Sequence, residues 1–241
     1  MLLFDANWYQ ILLKIEVSML ITVKFWKWVR LKNVIFVILL LKMCFIFGQD
    51  LHTKSVIIID PGHGGKDTGA IGTNTIQEKE VVLRIAKEIM KLNKTLLNSE
   101  FDMYSTRYKD TLISLSDRSR LAKTLNADVF VSLHCNASAS SSKGIDVYVH
   151  NANDEKVQIK KSIVLGLSVL EESTLKLGFI KRGVQFANFQ VLRKNIKYCP
   201  SILVEMGFVT NTDEADYFLK PKNIKAMALA ILMGLYNHLN I

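Results

Sequence analysis

Four residues of this chain could do chemistry as a group: His63, Glu78, His134 and Glu205. Three of them follow short apolar runs. His63 comes after Val56-Ile57-Ile58-Ile59 and the turn residues Asp60-Pro61-Gly62. His134 comes after Val129-Phe130-Val131-Ser132-Leu133, and Glu205 after Ser201-Ile202-Leu203-Val204. Runs of this length, rich in β-branched residues and bounded by turn signals, read as buried strands. Open α/β sheets bind their ligands beyond the carboxyl ends of such strands. If the three strands are neighbours, their terminal residues meet at one edge. Glu78 opens a helix after the long loop 64–77, so it can return over the same edge. Two imidazoles and one carboxylate around a zinc ion, with water in the fourth place, make a catalytic set, and a further carboxylate would handle protons. Residue type and spacing leave open which glutamate does which.

Each residue also has a plainer reading. His134 alone could be a satisfied core histidine. Glu78 alone could be a first-turn acid favoured by the helix dipole. Glu205 is harder to explain away, because an acid straight after apolar strand residues is costly to bury without a partner. Convergence of several such groups at strand ends favours a functional site.

The elements that must position these residues alternate along the chain. Pro61 cannot donate a ladder hydrogen bond, so the first strand is expected to stop there. Glu78–Leu97 reads as a helix, with Val82, Ile85, Ile89, Leu92 and Leu96 stepping by three and four. Phe101–Thr106 reads as a strand and Ser116–Leu125 as a helix. After a serine-rich loop at 138–143, Gly144–His150 resumes as a strand. Val157–Leu177 reads as a helix stopped by Gly178, and Asn223–Leu239 as a last helix with Pro221 near its start. The alternation predicts an α/β fold: a single domain with a twisted mixed, mostly parallel sheet and helices on both faces.

Residues 1–48 do not belong to that pattern. Lys24, Lys27, Arg30 and Lys32 precede the apolar run Val34–Leu41, the layout of a secretory leader. A cut after Gly48 is expected, which makes 49–241 the globular domain. Met19 could be the true start, and an uncleaved membrane anchor is the alternative. Lys42-Met43 before Cys44 is a poor match to a lipoprotein signal. The leader holds six basic and two acidic residues, so +5 of the chain's net +9 belongs to the remainder. A modest positive charge suits an anionic polymer or surface. No basic stripe with interleaved aromatics is present, so nucleic acid is not an expected partner. Cys135 and Cys199 could pair in an exported protein, or be small buried hydrophobes.

The motifs carry a resemblance. Asp60-Pro-Gly-His-Gly-Gly65, Glu78-Lys79, Ser132-Leu-His-Cys-Asn-Ala137 and Val204-Glu-Met-Gly-Phe208 resemble those of the zinc-dependent N-acetylmuramoyl-L-alanine amidases of the type 3 amidase family. So do Ser105-Thr-Arg107, Leu115-Ser-Asp-Arg118, Lys181-Arg-Gly-Val184 and Val191-Leu-Arg193. The resemblance runs from about Ser55 to the C-terminus. It implies a zinc-hydrolase-type fold, one zinc ion on His63, Glu78 and His134, and Glu205 as catalytic general base and then acid. The implied reaction is hydrolysis of the amide between N-acetylmuramic acid and L-alanine in peptidoglycan, by zinc-activated water. The implied setting is the periplasm or cell envelope. Cys135 and Tyr198-Cys199 depart from the family pattern without touching a ligand. Some members carry a long inhibitory insertion after the strand that here is Gly144–His150. Only Asn151–Lys156 follows it here, so no protein activator is expected, and the membrane is met only through the leader if it stays uncleaved. Two rivals remain: a zinc peptidase acting on the stem peptide, and a non-catalytic wall-binding module.

Overall fold

The computed structural model describes residues 6–47, 54–138, 142–151 and 155–240. The chain divides into two units, Met1–Thr53 and Lys54–Ile241. The first is a helix, α1 (Ala6–Phe47), along which apolar residues such as Trp26, Phe36 and Leu39 are exposed. Among the described residues no helix is long and apolar enough to cross a membrane. The expected cut between Gly48 and Gln49 lies outside the described residues.

The second unit is a six-stranded sheet. In chain order its elements are β1 (Val56–Pro61), α2 (Glu78–Thr95), β2 (Asp102–Ser105), α3 (Leu115–Thr124), β3 (Val129–Asn136) and β4 (Ile145–His150). Then come α4 (Lys156–Leu177), β5 (Lys181–Ala187), α5 (Gln190–Asn195), β6 (Ser201–Phe208), α6 (Thr212–Leu219) and α7 (Pro221–Leu239). The strands lie in the order β2-β1-β3-β6-β4-β5. All neighbours are parallel except β4 and β6. The expectation of a mixed, mostly parallel sheet is met.

Alternation along the strands builds two cores. Ile57, Ile59, Val131, Leu133, Val147 and Val204 face one way, into a large core completed by residues of α2, α4 and α7. Ile58, Phe130 and Leu203 face the other way, into a smaller core with Ala122 of α3 and Val191 and Leu192 of α5. Cys135 belongs to the first core and Cys199 to the second, and both are free and buried. They are small core residues rather than a disulfide.

Several boundaries differ from the sequence reading. Asp60 and Pro61 belong to β1, which pairs through Pro61 with Leu133. Pro61 therefore ends the strand from inside it. His134 and Glu205 likewise lie within β3 and β6 rather than beyond them, directly opposite one another. Two elements of the second half, β5 and α5, and the short helix α6 were not anticipated. Pro221 is the first residue of α7, where its missing N–H is no loss.

Candidate active site

The site is a row across the smaller-core face of the sheet. His134 pairs with Glu205 across β3 and β6, and Glu205 with Asp146 across β6 and β4. Past this row β6 is irregular: Asn136 pairs with Phe208, so β6 spends one more residue than β3. The extra residue is accommodated at Gly207, with φ of 132°. The Glu214 carboxylate accepts from Phe208 N at 2.6 Å and Gly144 N at 2.7 Å, and so ties this end of β6 to the start of β4.

His63 stands two residues past β1, in the left-handed region at φ 56°. A non-glycine residue there is held by its surroundings. Two buried arginines supply the hold. Arg107 donates to the carbonyls of Pro61 and Gly62, at 3.0 and 2.8 Å. Arg118 donates to those of Pro61 and His63, both at 2.7 Å, and to Asp60 Oδ1 at 2.7 Å. Asp60 also accepts from Thr106 and Ser132. The three consecutive carbonyls before and at His63 are therefore all taken by charge-assisted bonds.

Glu78 returns over the edge as expected. Its Oε1 lies 3.0 Å from His63 Nε2 and 2.9 Å from His134 Nδ1. Cys135 N donates to the same oxygen, and Ala70 N to Oε2. Burial opposes the Glu78 charge, but the two imidazoles outweigh it and hold the carboxyl far below the usual carboxylate range. Burial likewise opposes the charge on His63. Its bonds to Glu78 and then Asp67 win, and raise it to about 9. Asp67 Oδ2 sits 2.9 Å from His63 Nδ1 and fixes which nitrogen faces Glu78. Asp67 was missed in the sequence; its only signal there is an acid four residues after His63 in a glycine loop.

His63, Glu78 and His134 each offer one ligand atom, all within 4.8 Å of one another. Two imidazole nitrogens and a carboxylate oxygen so close together fit a single zinc ion. The fit depends on Gly62, where any Cβ would clash with the His134 ring. Gly62→Ala is expected to displace His134 and weaken metal binding about 10–100-fold, the range for changes around ligands. Competition against a chromophoric chelator measures it, and unchanged affinity would remove this packing argument.

Glu205 faces the same groove. Its Oε2 is buried and accepts no hydrogen bond among the described residues. Burial pushes its carboxyl up to about 7; nearby His134 pulls it down, while Glu78 and Asp146 push it further up. The groove holds a cavity of about 720 Å³, walled by Leu112, Ile113, Leu115 and Val191 and floored by His63, His134 and Glu205. All four residues singled out in the sequence are thus brought together.

An open α/β sheet with three donors that could hold a metal, and a further buried carboxylate beside them, is the arrangement of a metal-dependent hydrolase. The family model described as N-acetylmuramoyl-L-alanine amidase matches residues 57–237. The chain belongs to that family, whose enzymes cleave the amide between muramic acid and L-alanine in peptidoglycan. The amidase CwlM of Bacillus licheniformis is 34% identical over 188 residues, covering 77% of this chain and 69% of its own. Among solved structures, the amidase AmiC2 of Nostoc punctiforme matches with a TM-score of 0.70 at 31% identity, over 78% of this chain and 99% of that one. The CwlD amidase of Clostridioides difficile, solved in complex with the GerS lipoprotein, matches at 0.69 and 25% identity, over 78% of this chain and 99% of that one.

Proposed function

We propose that His63, Glu78 and His134 hold one zinc ion and that Glu205 moves the proton in hydrolysis of the muramoyl–L-alanine amide. The observation that carries this is the meeting of three donors within 4.8 Å beside a buried carboxylate with a free oxygen. When bound, zinc supplies Lewis acidity, which acidifies water and polarises a carbonyl. Glu78 would be one of the residues holding it, its carboxylate kept in place by bonds from Cys135 N and Ala70 N. Asp67 orients His63, and the Gly62 backbone backs the His134 ring. Glu205 takes the proton of the attacking water and returns it to the leaving amine. Burial holds the Glu205 carboxyl above the usual carboxylate range, which favours its taking up a proton.

Dialysis of 49–241 against a chelator should abolish release of L-alanine amino ends from peptidoglycan, and one equivalent of zinc should restore it. Full activity without metal would overturn the metal reading. Release of amino ends other than L-alanine would favour the peptidase rival.

The link from β4 to α4 is residues 151–155, too short for an inhibitory helix. The groove is therefore open in our reading, and the enzyme acts without an activator. A purified domain that stays inert until a partner of the kind seen with CwlD is added would refute this. Peptidoglycan lies outside the cytoplasm, and residues 1–48 would serve as the export leader. A mature N-terminus at Gln49 supports cleavage, while one at Met1 or Met19 supports an anchor.

A further inference from the structure

We propose that Arg182 binds a carboxylate on the peptide side of the scissile amide and so sets the enzyme's preference for the stem peptide. Arg182, near the start of β5, donates from Nε to Asp146 Oδ2 at 2.6 Å. Asp146 is buried, whereas the Arg182 side chain is 41% exposed. The guanidinium also lies 5.0 Å from the centroid of the Phe208 ring. One edge and one face are therefore fixed. Among the described residues neither terminal nitrogen meets an acceptor. A guanidinium held in this way is preorganised to take a carboxylate through its remaining N–H groups.

Its place in the row says which part of the substrate it would meet. Asp146 is directly opposite Glu205, on the side away from His134. A group that protonates the leaving amine must lie within hydrogen-bond reach of it. A departing peptide that runs past Glu205 toward β4 and β5 would meet Arg182 there. In peptidoglycan the residue after L-alanine is joined onward through its side-chain carboxyl. Its α-carboxyl is left free in some walls and amidated in others. A free carboxylate would satisfy the open edge of Arg182, while a carboxamide brings no charge and turns N–H toward N–H.

The proposal rests on Glu205 facing the leaving amine, and the test separates the two. Two soluble muropeptides are compared that differ only in carboxylate against carboxamide at this position. The parent domain should favour the acid in kcat/KM by about tenfold to a hundredfold, the range for a charged hydrogen bond. Arg182→Gln should erase the preference by lowering turnover of the acid alone, mainly through KM, with metal content unchanged, while the melting temperature falls because buried Asp146 loses its cationic partner. Arg182→Lys should keep part of it, and Lys181→Gln, an exposed neighbour, all of it. Equal use of both substrates by the parent would overturn the assignment, as would an equal loss on both in Arg182→Gln. If Glu205→Gln is inactive in those cases, only the Arg182 assignment has failed. If Glu205→Gln is active, the proton-transfer reading has failed with it.

Discussion

Glu205→Gln is expected to keep its metal and lose activity by about 10²–10⁴-fold, the usual worth of a positioned acid–base group. The amide keeps the shape of the side chain and the polarity of the free oxygen. It cannot take up a proton from water and deliver it to an amine. Glu78 touches both His63 and His134 directly, and among the described residues none of these contacts involves Glu205, so the cradle should survive. Metal content, with amino-end release measured on the same sample, separates the roles. Loss of metal would mean that Glu205 is a ligand, and retained activity would mean that the proton passes elsewhere. The metal-free protein adds a second readout. Glu205 ionises about 7 when folded against 4.5 for an unperturbed side chain. Its contribution to stability is thus full below about pH 4.5 and is lost as pH rises through 7. Gln carries no such penalty, so metal-free Glu205→Gln should melt no lower than the parent above pH 7.

The centre of the fold was readable because local patterns encode it. Three short apolar runs, each ending at a polar residue, are β1, β3 and β6, and they are adjacent in the sheet. The helix that begins at Glu78 was readable from its apolar periodicity. The second half of the sheet was harder. β5, Lys-Arg-Gly-Val-Gln-Phe-Ala, is an edge strand that exposes Phe186 and breaks its own alternation at Gly183, so no period-two signal marks it. α5 and α6 have six and eight residues, too few turns for a helical period to stand out. The bonds that shape the His63 loop join residues 45–58 positions apart. No local pattern reports contacts of that range. The motifs flagged Arg107 and Arg118 without saying what they hold.

That hidden scaffold carries the other large effect. Arg118→Met is expected to destabilise the domain by about 3–5 kcal/mol, because it leaves Asp60 buried without its cationic partner. Both side chains are almost fully buried, 2% and 1% exposed, and their contact is 2.7 Å. Asp60 would retain only hydroxyl donors, from Thr106 and Ser132. For a domain of this size the loss corresponds to a fall in melting temperature of about 6–20 °C. The carbonyls of Pro61 and His63 would also lose a donor, so metal affinity should drop along with stability. A purely electrostatic cost makes a further demand: Asp60→Asn combined with Arg118→Met should recover part of the loss, because the unpaired charge is gone. The exposed pair of Arg120 and Asp117 on the same helix supplies the contrast. Its side chains are 75% and 46% exposed, and Arg120→Ala should cost under about 0.5 kcal/mol. Thermal melts of the three variants decide the matter. If Arg118→Met melts within about 2 °C of the parent, less than 1 kcal/mol is at stake, and the buried pair is not what holds His63 in its left-handed turn.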